Sequence, residues 1–435
     1  MSEMTRRTVI AIAAALPAAP VFARVGASSF PRDFLWGAAT AGHQVEGNNV
    51  NADLWIAENV KPTLYVERSG DALNSFELWP RDLDLVRQIG LNSYRFSLEW
   101  SRIEPDPGHF SIAMLDHYKR VIDRCRAGGI TPVVTFNHFT TPIWFAKQGG
   151  WTNPDSPSLF ARYCERAARH LAANIGWATT LNEPNLWRLM TGVAPPGRVQ
   201  QQREMLAAAA KAAGVAKYVA GNVAAPEDFD LIIRNQLAGH ENGRAAIKAV
   251  RGDLPVGVSL AIIDEQAAPG GERRRDEVRA ELYGEWLNAA RGDDFVGVQN
   301  YERRVWGADG SIPAPPGAEK NMFGKEVYPG SLAGAVRYAH QASGVPIIVT
   351  EHGVAAADDS IRARLIPAAL RELKQAIDEG VPVRGYVHWS LIDNFEWSLG
   401  YWPKFGLASV DRTTFERSLK PSAHVLGRIA KANSA

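Results

Sequence analysis

Eight short β-branched or aromatic runs, each followed by a longer stretch of helical periodicity, constrain this chain more than any other feature. The runs read as strands are Phe34–Thr40, Ser93–Trp100, Thr131–Phe139, Trp177–Asn182, Val256–Ile262, Phe295–Tyr301, Ile347–Glu351 and Val383–Ser390. Between them lie helix patterns such as ELWPRDLDLVRQIG, LDHYKRVIDRCRAGG and SPSLFARYCERAARHLAANIG. The last of these opens on a Ser-Pro cap signal and ends at Gly176. Strand–helix units repeated in this way, without a dinucleotide-binding fingerprint, favour a (β/α)8 barrel over a doubly wound sheet. A length of 435 residues alone would suggest about three domains. No linker rich in Pro, Gly or Ser interrupts the series, however, and no internal repeat is visible. The expectation is α/β, one TIM-barrel domain over residues 28–435.

In such a barrel the chemistry sits at the carboxyl ends of the strands, so polar residues should collect there. They do. The first strand runs into His43-Gln44, the second carries Arg95, and the third ends in Asn137-His138. The fourth ends in Asn182-Glu183-Pro184, the sixth in Gln299-Asn300-Tyr301, and the seventh in Glu351-His352-Gly353. Glu396-Trp397 follows the eighth. The fifth, VGVSLAI, offers nothing before Asp264.

Composition removes several alternatives. With 48 Lys+Arg against 47 Asp+Glu the net charge is +1, which lacks the basic footprint of a nucleic-acid or acidic-membrane partner. No glycine-rich phosphate loop, CxxC pair or HExxH helix occurs, so no metal or nucleotide cofactor is expected. A metal-dependent amidohydrolase on the same barrel would need His-x-His after the first strand, where this chain has His43-Gln44. Cys125 and Cys164 fall in helical segments and read as buried free thiols. The 13 Trp, 11 Tyr and 16 Phe either fill a core or line a pocket for a ligand with an apolar face and a hydroxylated edge, as a sugar has.

Two carboxylates stand out. Glu183 lies at a sharp turn before Pro184, and Glu351 closes the apolar run PIIVT. A carboxylate closing a buried strand is either paired or functional, because an unpaired buried charge is costly. Arg95 could supply a purely structural pair for Glu351. Two such carboxylates on strands four and seven, with Arg, Asn, His, Tyr and Trp around them, instead match what cleavage of a glycosidic bond requires. One is held protonated to assist the leaving oxygen, and the other is ionised to attack the anomeric carbon.

At these residues the chain resembles glycoside hydrolase family 1, the β-glucosidase family. FPRDFLWGAATAGHQVEG (30–47), YRFSLEWSRIEP (94–105), TLNEP (180–184), TGVAPPG (191–197), VTEHG (349–353) and HWSLIDNFEWSLGYWPKFGL (388–407) match its blocks in order. The resemblance implies Glu183 as acid/base and Glu351 as nucleophile, with Arg95 and Tyr301 touching the nucleophile and lowering its pKa. It implies that Asn182 bonds the sugar 2-hydroxyl. Gln44, His138, Gln299 and Glu396 would serve the glycone site, with Trp389 and Trp397 as apolar walls. A retaining enzyme has its carboxyl groups about 5–5.5 Å apart. The implied partner is a terminal, non-phosphorylated β-D-glycoside, small or oligosaccharide, without cofactor or metal. A carboxyl at Glu396 accepts bonds from neutral hydroxyls and repels a phosphate. The chain departs from the family pattern at Phe139 (usually Trp), His352 (usually Asn) and Gln299 (usually Asn). A transglycosylase would use the same two glutamates; a non-catalytic sugar-binding barrel would have lost one of them, and both are present.

The first residues read as a targeting segment. Arg6-Arg7 precede an apolar stretch from Val9, too short to span a bilayer, and Val21-Phe22-Ala23 present small residues for a signal peptidase. The paired arginines resemble a twin-arginine export signal over residues 1–23, which places the mature enzyme in the periplasm or outside the cell. Replacing Arg6 and Arg7 together by Lys is expected to leave folded, active protein in the cytoplasm. Fractionation of cells expressing that variant checks this, and unchanged export would refute it.

Overall fold

All eight runs form parallel strands of one closed sheet. They are β1 (Leu35–Ala39), β2 (Ser93–Ser97), β3 (Thr131–Asn137), β4 (Trp177–Asn182), β5 (Val256–Ala261), β6 (Phe295–Asn300), β7 (Ile347–His352) and β8 (Val383–Trp389). Around the ring the order is β1-β8-β7-β6-β5-β4-β3-β2, so consecutive strands are neighbours and the ring closes between β1 and β8. The computed structural model describes residues 29–190 and 197–435. The export segment, and residues 191–196 of the TGVAPPG block, lie outside the described residues.

A helix follows each strand. These are α1 (Ser75–Ile89), α2 (Ile112–Ala127), α3 (Ser156–Leu171), α4 (Phe229–Val250), α5 (Glu272–Arg279), α6 (Ser331–Ser343), α7 (Asp359–Asp378) and α8 (Pro421–Ala432). An additional helix, Arg198–Ala213, precedes α4, and α5 continues through a π-helical turn at Ala280–Gly284. Strands covered by helices outside and by side chains inside are buried on both faces, which is why they read as unbroken apolar runs. Every residue of β1, β2, β6 and β7 is buried.

The barrel interior begins with a plug. Leu35, Val133, Phe295 and Ile348 come from β1, β3, β6 and β7 and form one cluster with Trp177. Several of these strands are not neighbours, so the side chains meet across the barrel axis. Near the strand starts β5 must also pass close to β6. A Cβ at Gly257 would stand 2.1 Å from the Phe295 carbonyl oxygen, so only glycine fits there. Below the plug the described chain is clasped shut. Asn433, just past α8, donates from Nδ2 to the Phe30 carbonyl (2.8 Å) and accepts at Oδ1 from Trp36 Nε1 (3.0 Å).

The observed strands are shorter than the runs at most mouth-side ends, because the chain leaves the sheet where it enters the loops. The largest trim is at β2, which stops at Ser97 rather than Trp100. Trp100 opens a short helix (Trp100–Ile103) and packs outside the barrel, edge-on to Trp144 and stacked on Tyr163 at 5.0 Å. Its Nε1 donates to Glu104 Oε2 at 2.8 Å. Cys125 and Cys164 are both free and buried, as expected. Among the described residues no helix is long and apolar enough to cross a membrane.

Trp100 is wholly buried and hydrogen-bonded. Trp100→Ala is therefore expected to destabilise the fold by about 3–5 kcal/mol through cavity formation and loss of the donor to Glu104 Oε2. Thermal and denaturant unfolding of the purified variant measure this. A change below about 1 kcal/mol would mean that the surrounding rings collapse into the space.

Candidate active site

The mouth of the barrel is organised around Glu351. A register slip between Val349 and Glu351 on β7 sets Glu351 opposite Gln299 of β6. Its carboxylate is held on both oxygens. Oε1 accepts from Arg95 Nη1 at 2.5 Å, and Oε2 accepts from the Tyr301 hydroxyl at 2.6 Å. Arg95, itself fully buried, also donates from Nη2 to Asn182 Oδ1 at 2.6 Å. One guanidinium thus ties β2 to β4 and β7. The structural salt bridge anticipated for Glu351 exists, but the same carboxylate also lines an open cavity, so it is paired and accessible at once.

Glu183 follows the last residue of β4. Its backbone adopts the left-handed conformation (φ 45°), and its N–H donates to the Ser259 carbonyl at 2.8 Å. Phe139 (φ 69°) and Trp397 (φ 50°) share this conformation and line the same cavity. Non-glycine residues held there store strain, and such strain collects at functional sites.

The two carboxyl groups sit in different electrostatic surroundings. Burial pushes Glu351 upward, while Arg95 and the Tyr301 hydroxyl pull it back. Glu183 is pushed well above the carboxylate range by burial and then by the charge of Glu351, with only the field of Arg95 opposing. The arrangement favours one ionised and one protonated carboxyl facing a common space.

That space is a cavity of about 370 Å³, within the range of small-ligand sites. Gln44, His138, Asn182, Glu183, Tyr301, Glu351, Trp389, Glu396 and Trp397 all line it. The His138 ring lies near-parallel to Trp389 (5.7 Å) and Trp397 (6.0 Å), and burial with Arg95 nearby keeps it neutral. Glu396 is pushed up to about 8 by burial and by Glu351. Among the buried polar atoms without partners, Gln44 Oε1, His138 Nδ1, Gln299 Oε1 and Glu396 Oε2 lie around this site. Each orphan costs roughly 1–3 kcal/mol, a cost that a ligand dense in hydroxyls would relieve. A second cavity of about 1030 Å³ shares Asn182, Glu183, Tyr301 and Trp397 with the first. It extends along Tyr65, Trp187, Met190, Phe229 and Ile262.

Two residues named from the sequence stand one step back. Arg95 does not line the smaller cavity, and Gln299 lines only the larger one while donating from Nε2 to Asn182 Oδ1 at 2.8 Å. Other polar strand ends point elsewhere. His43 pairs with Glu58 (2.7 Å), and His352 bonds the Tyr386 hydroxyl (3.0 Å), its pKa lowered to about 3 by burial. Asp264 holds Gln266. Conversely, Glu302, Asn321, Phe323, Lys325 and Phe405 line the smaller cavity without having been singled out. All lie on loops, where no strand-end rule marks them. Among the described residues, no group of three His, Cys, Asp or Glu side chains is placed to hold a metal ion.

A parallel barrel carrying two unlike carboxyls in a tryptophan-walled cavity is the site of a glycosidase. The model of glycosyl hydrolase family 1 matches residues 27–290 and 310–435. A thermostable β-glucosidase B of Thermobispora bispora is 31% identical over 486 aligned residues, covering 97% of this chain and 96% of its own. Among solved structures, β-glycosidase BGL167 is 47% identical (TM-score 0.86; 93% of this chain, 98% of its own). A β-glucosidase designated 1317 is 41% identical (TM-score 0.87; 92% and 99%). The chain belongs to glycosyl hydrolase family 1. It is a retaining β-glycosidase, a hydrolase of O-glycosyl bonds.

Glu351→Gln keeps the shape of that side chain and removes its charge. The Glu396 carboxyl, now at about 8, is then expected to titrate at lower pH, and Glu183 to move the same way. Carboxyl-stretch infrared difference titration reads both groups. An unmoved Glu396 would show that burial alone sets its pKa.

Proposed function

We propose that this enzyme hydrolyses terminal, non-phosphorylated β-D-glycosides of the glucoside type, with Glu351 as nucleophile and Glu183 as general acid and then base. The observation that carries the assignment is the unequal treatment of the two carboxyls. Glu351 is gripped by Arg95 and Tyr301 in the orientation of an anion, and Glu183 is kept protonated beside it.

In the first step a Glu351 oxygen attacks the anomeric carbon while the Glu183 proton passes to the leaving oxygen. A covalent glycosyl-enzyme forms and the aglycone departs into the larger cavity. In the second step Glu183, now ionised, takes a proton from water as that water attacks the anomeric carbon and frees Glu351. Asn182 bonds the 2-hydroxyl, an interaction that strengthens as positive charge develops on the ring. The unpaired atoms of Gln44, His138 and Glu396 take the other hydroxyls, and Trp389 and Trp397 wall the apolar face of the ring.

The β-glucosidase names of the similar proteins support the glucoside assignment. A carboxyl rather than a cation at Glu396 supports a neutral sugar, since that side chain offers a phosphate dianion no countercharge. The reading of residues 1–23 as an export signal adds a periplasmic or extracellular location, supported by Arg6-Arg7 and the small residues ending at Ala23.

The two roles separate in kinetics. Glu351→Ala is expected to abolish turnover for every leaving group. Glu183→Ala should still release nitrophenolate, which departs without a proton, and then stall as glycosyl-enzyme. Azide, which needs no base, should restore turnover and yield the β-glycosyl azide. On alkyl glycosides the loss should be roughly 10²–10⁴-fold. Equal losses on activated and unactivated substrates, without azide rescue, would overturn the assignment of Glu183.

A further inference from the structure

The carbonyl oxygen of the Asn182 side chain is claimed twice. Arg95 places Nη2 2.6 Å from it, and Gln299 places Nε2 2.8 Å from the same atom. A guanidinium only donates, so Arg95 dictates which end of the Asn182 amide faces it. The oxygen so placed dictates in turn which end of the Gln299 amide faces Asn182. What remains is Asn182 Nδ2, 3.4 Å from His138 Nε2, and both residues line the smaller cavity.

Gln299 can do this because of what lies between. Asn182 is on β4 and Gln299 on β6, with β5 separating them. At this level β5 sets Ser259 beside Asn182 and Ala261 beside Gln299. Neither is large enough to interrupt a hydrogen bond between the flanking strands. Gln299 is buried, does not line the smaller cavity, and has no partner for Oε1, so its hold on Asn182 rests on the Nε2 bond.

A single donor would leave the amide plane free to turn, because the terminal torsion of asparagine has a broad, shallow profile. Two donors arriving from β2 and β6 fix that plane. We propose that Gln299 is a positioning residue which, together with Arg95, locks the Asn182 amide with Nδ2 directed at the sugar 2-hydroxyl. This rests on the assignment of Asn182 to the 2-hydroxyl made above. The 2-hydroxyl bond strengthens toward the transition state. A loosened amide therefore lowers kcat more than it raises KM.

The test compares Gln299→Leu and Gln299→Met, two apolar replacements of similar volume without a donor, on nitrophenyl β-glucoside and on its 2-deoxy analogue. The ratio of kcat/KM values for the two substrates does not depend on how much of a preparation is folded, so it stays informative if a variant is partly unfolded. Both variants should lose about 10-fold on the glucoside, mostly in kcat, and stay within about threefold of the parent enzyme on the 2-deoxy substrate. Asn182→Ala, run alongside, should show a larger loss with the same selectivity. If Asn182→Ala is selective and the Gln299 variants lose equally on both substrates, Gln299 is structural and the proposal is overturned. Equal losses for Asn182→Ala itself would overturn the assignment of Asn182, and the proposal with it.

Discussion

The buried pair between Arg95 and Glu351 is the constraint from which the rest of the site follows. Removing one partner of such a pair costs about 3–5 kcal/mol, because the other charge is left in a medium that cannot solvate it. Here the pair is not sealed. Glu351 faces a cavity, Arg95 spends a second nitrogen on Asn182, and Tyr301 completes the hold on the carboxylate. The negative charge kept in this way raises the proton affinity of Glu183 and Glu396. One ion pair therefore fixes Glu351 as the charged carboxyl and, on top of the larger effect of burial, biases Glu183 and Glu396 toward their protonated forms.

The barrel was legible because helices outside and side chains inside bury each strand on both faces, leaving an apolar run that ends where the chain meets water. The site was legible to the same depth. Strand ends say where along a strand chemistry sits, but not which side of the strand a residue faces. Glu351 and His352 are adjacent, so they point to opposite faces, and His352 turns to Tyr386 while Glu351 enters the cavity. His43 and Gln44 differ for a related reason. They lie on a short helix, Gly42–Val45, where consecutive residues diverge around the axis, and His43 is taken by Glu58. Glu302, Asn321, Phe323 and Lys325 were invisible because loop residues have no period from which direction can be read. The silence of β5 also has a meaning. Its small residues are the space across which β4 and β6 communicate.

The cavity carries several features that a stability-optimised protein would avoid. Left-handed backbone at Phe139, Glu183 and Trp397, together with unpartnered atoms on Gln44, His138, Gln299 and Glu396, sits within one small region. The helical shell, with tryptophans such as Trp100 and Trp151 packed among its rings, supplies the burial that tolerates them. Strain and unsatisfied polarity at the mouth are offset by dense packing outside the barrel wall.

The pair that organises the site joins residues 256 positions apart in the chain. At ribosomal rates of about 5–20 residues per second, Arg95 is made roughly 10–50 s before Glu351 exists. During that interval β2 carries a cation whose countercharge has not been synthesised. Closure of the ring by β8 against β1 likewise waits for residues made after β7. The strands that complete the ring, β7 and β8, and the carboxylate that answers Arg95 thus all come from the last quarter of the chain.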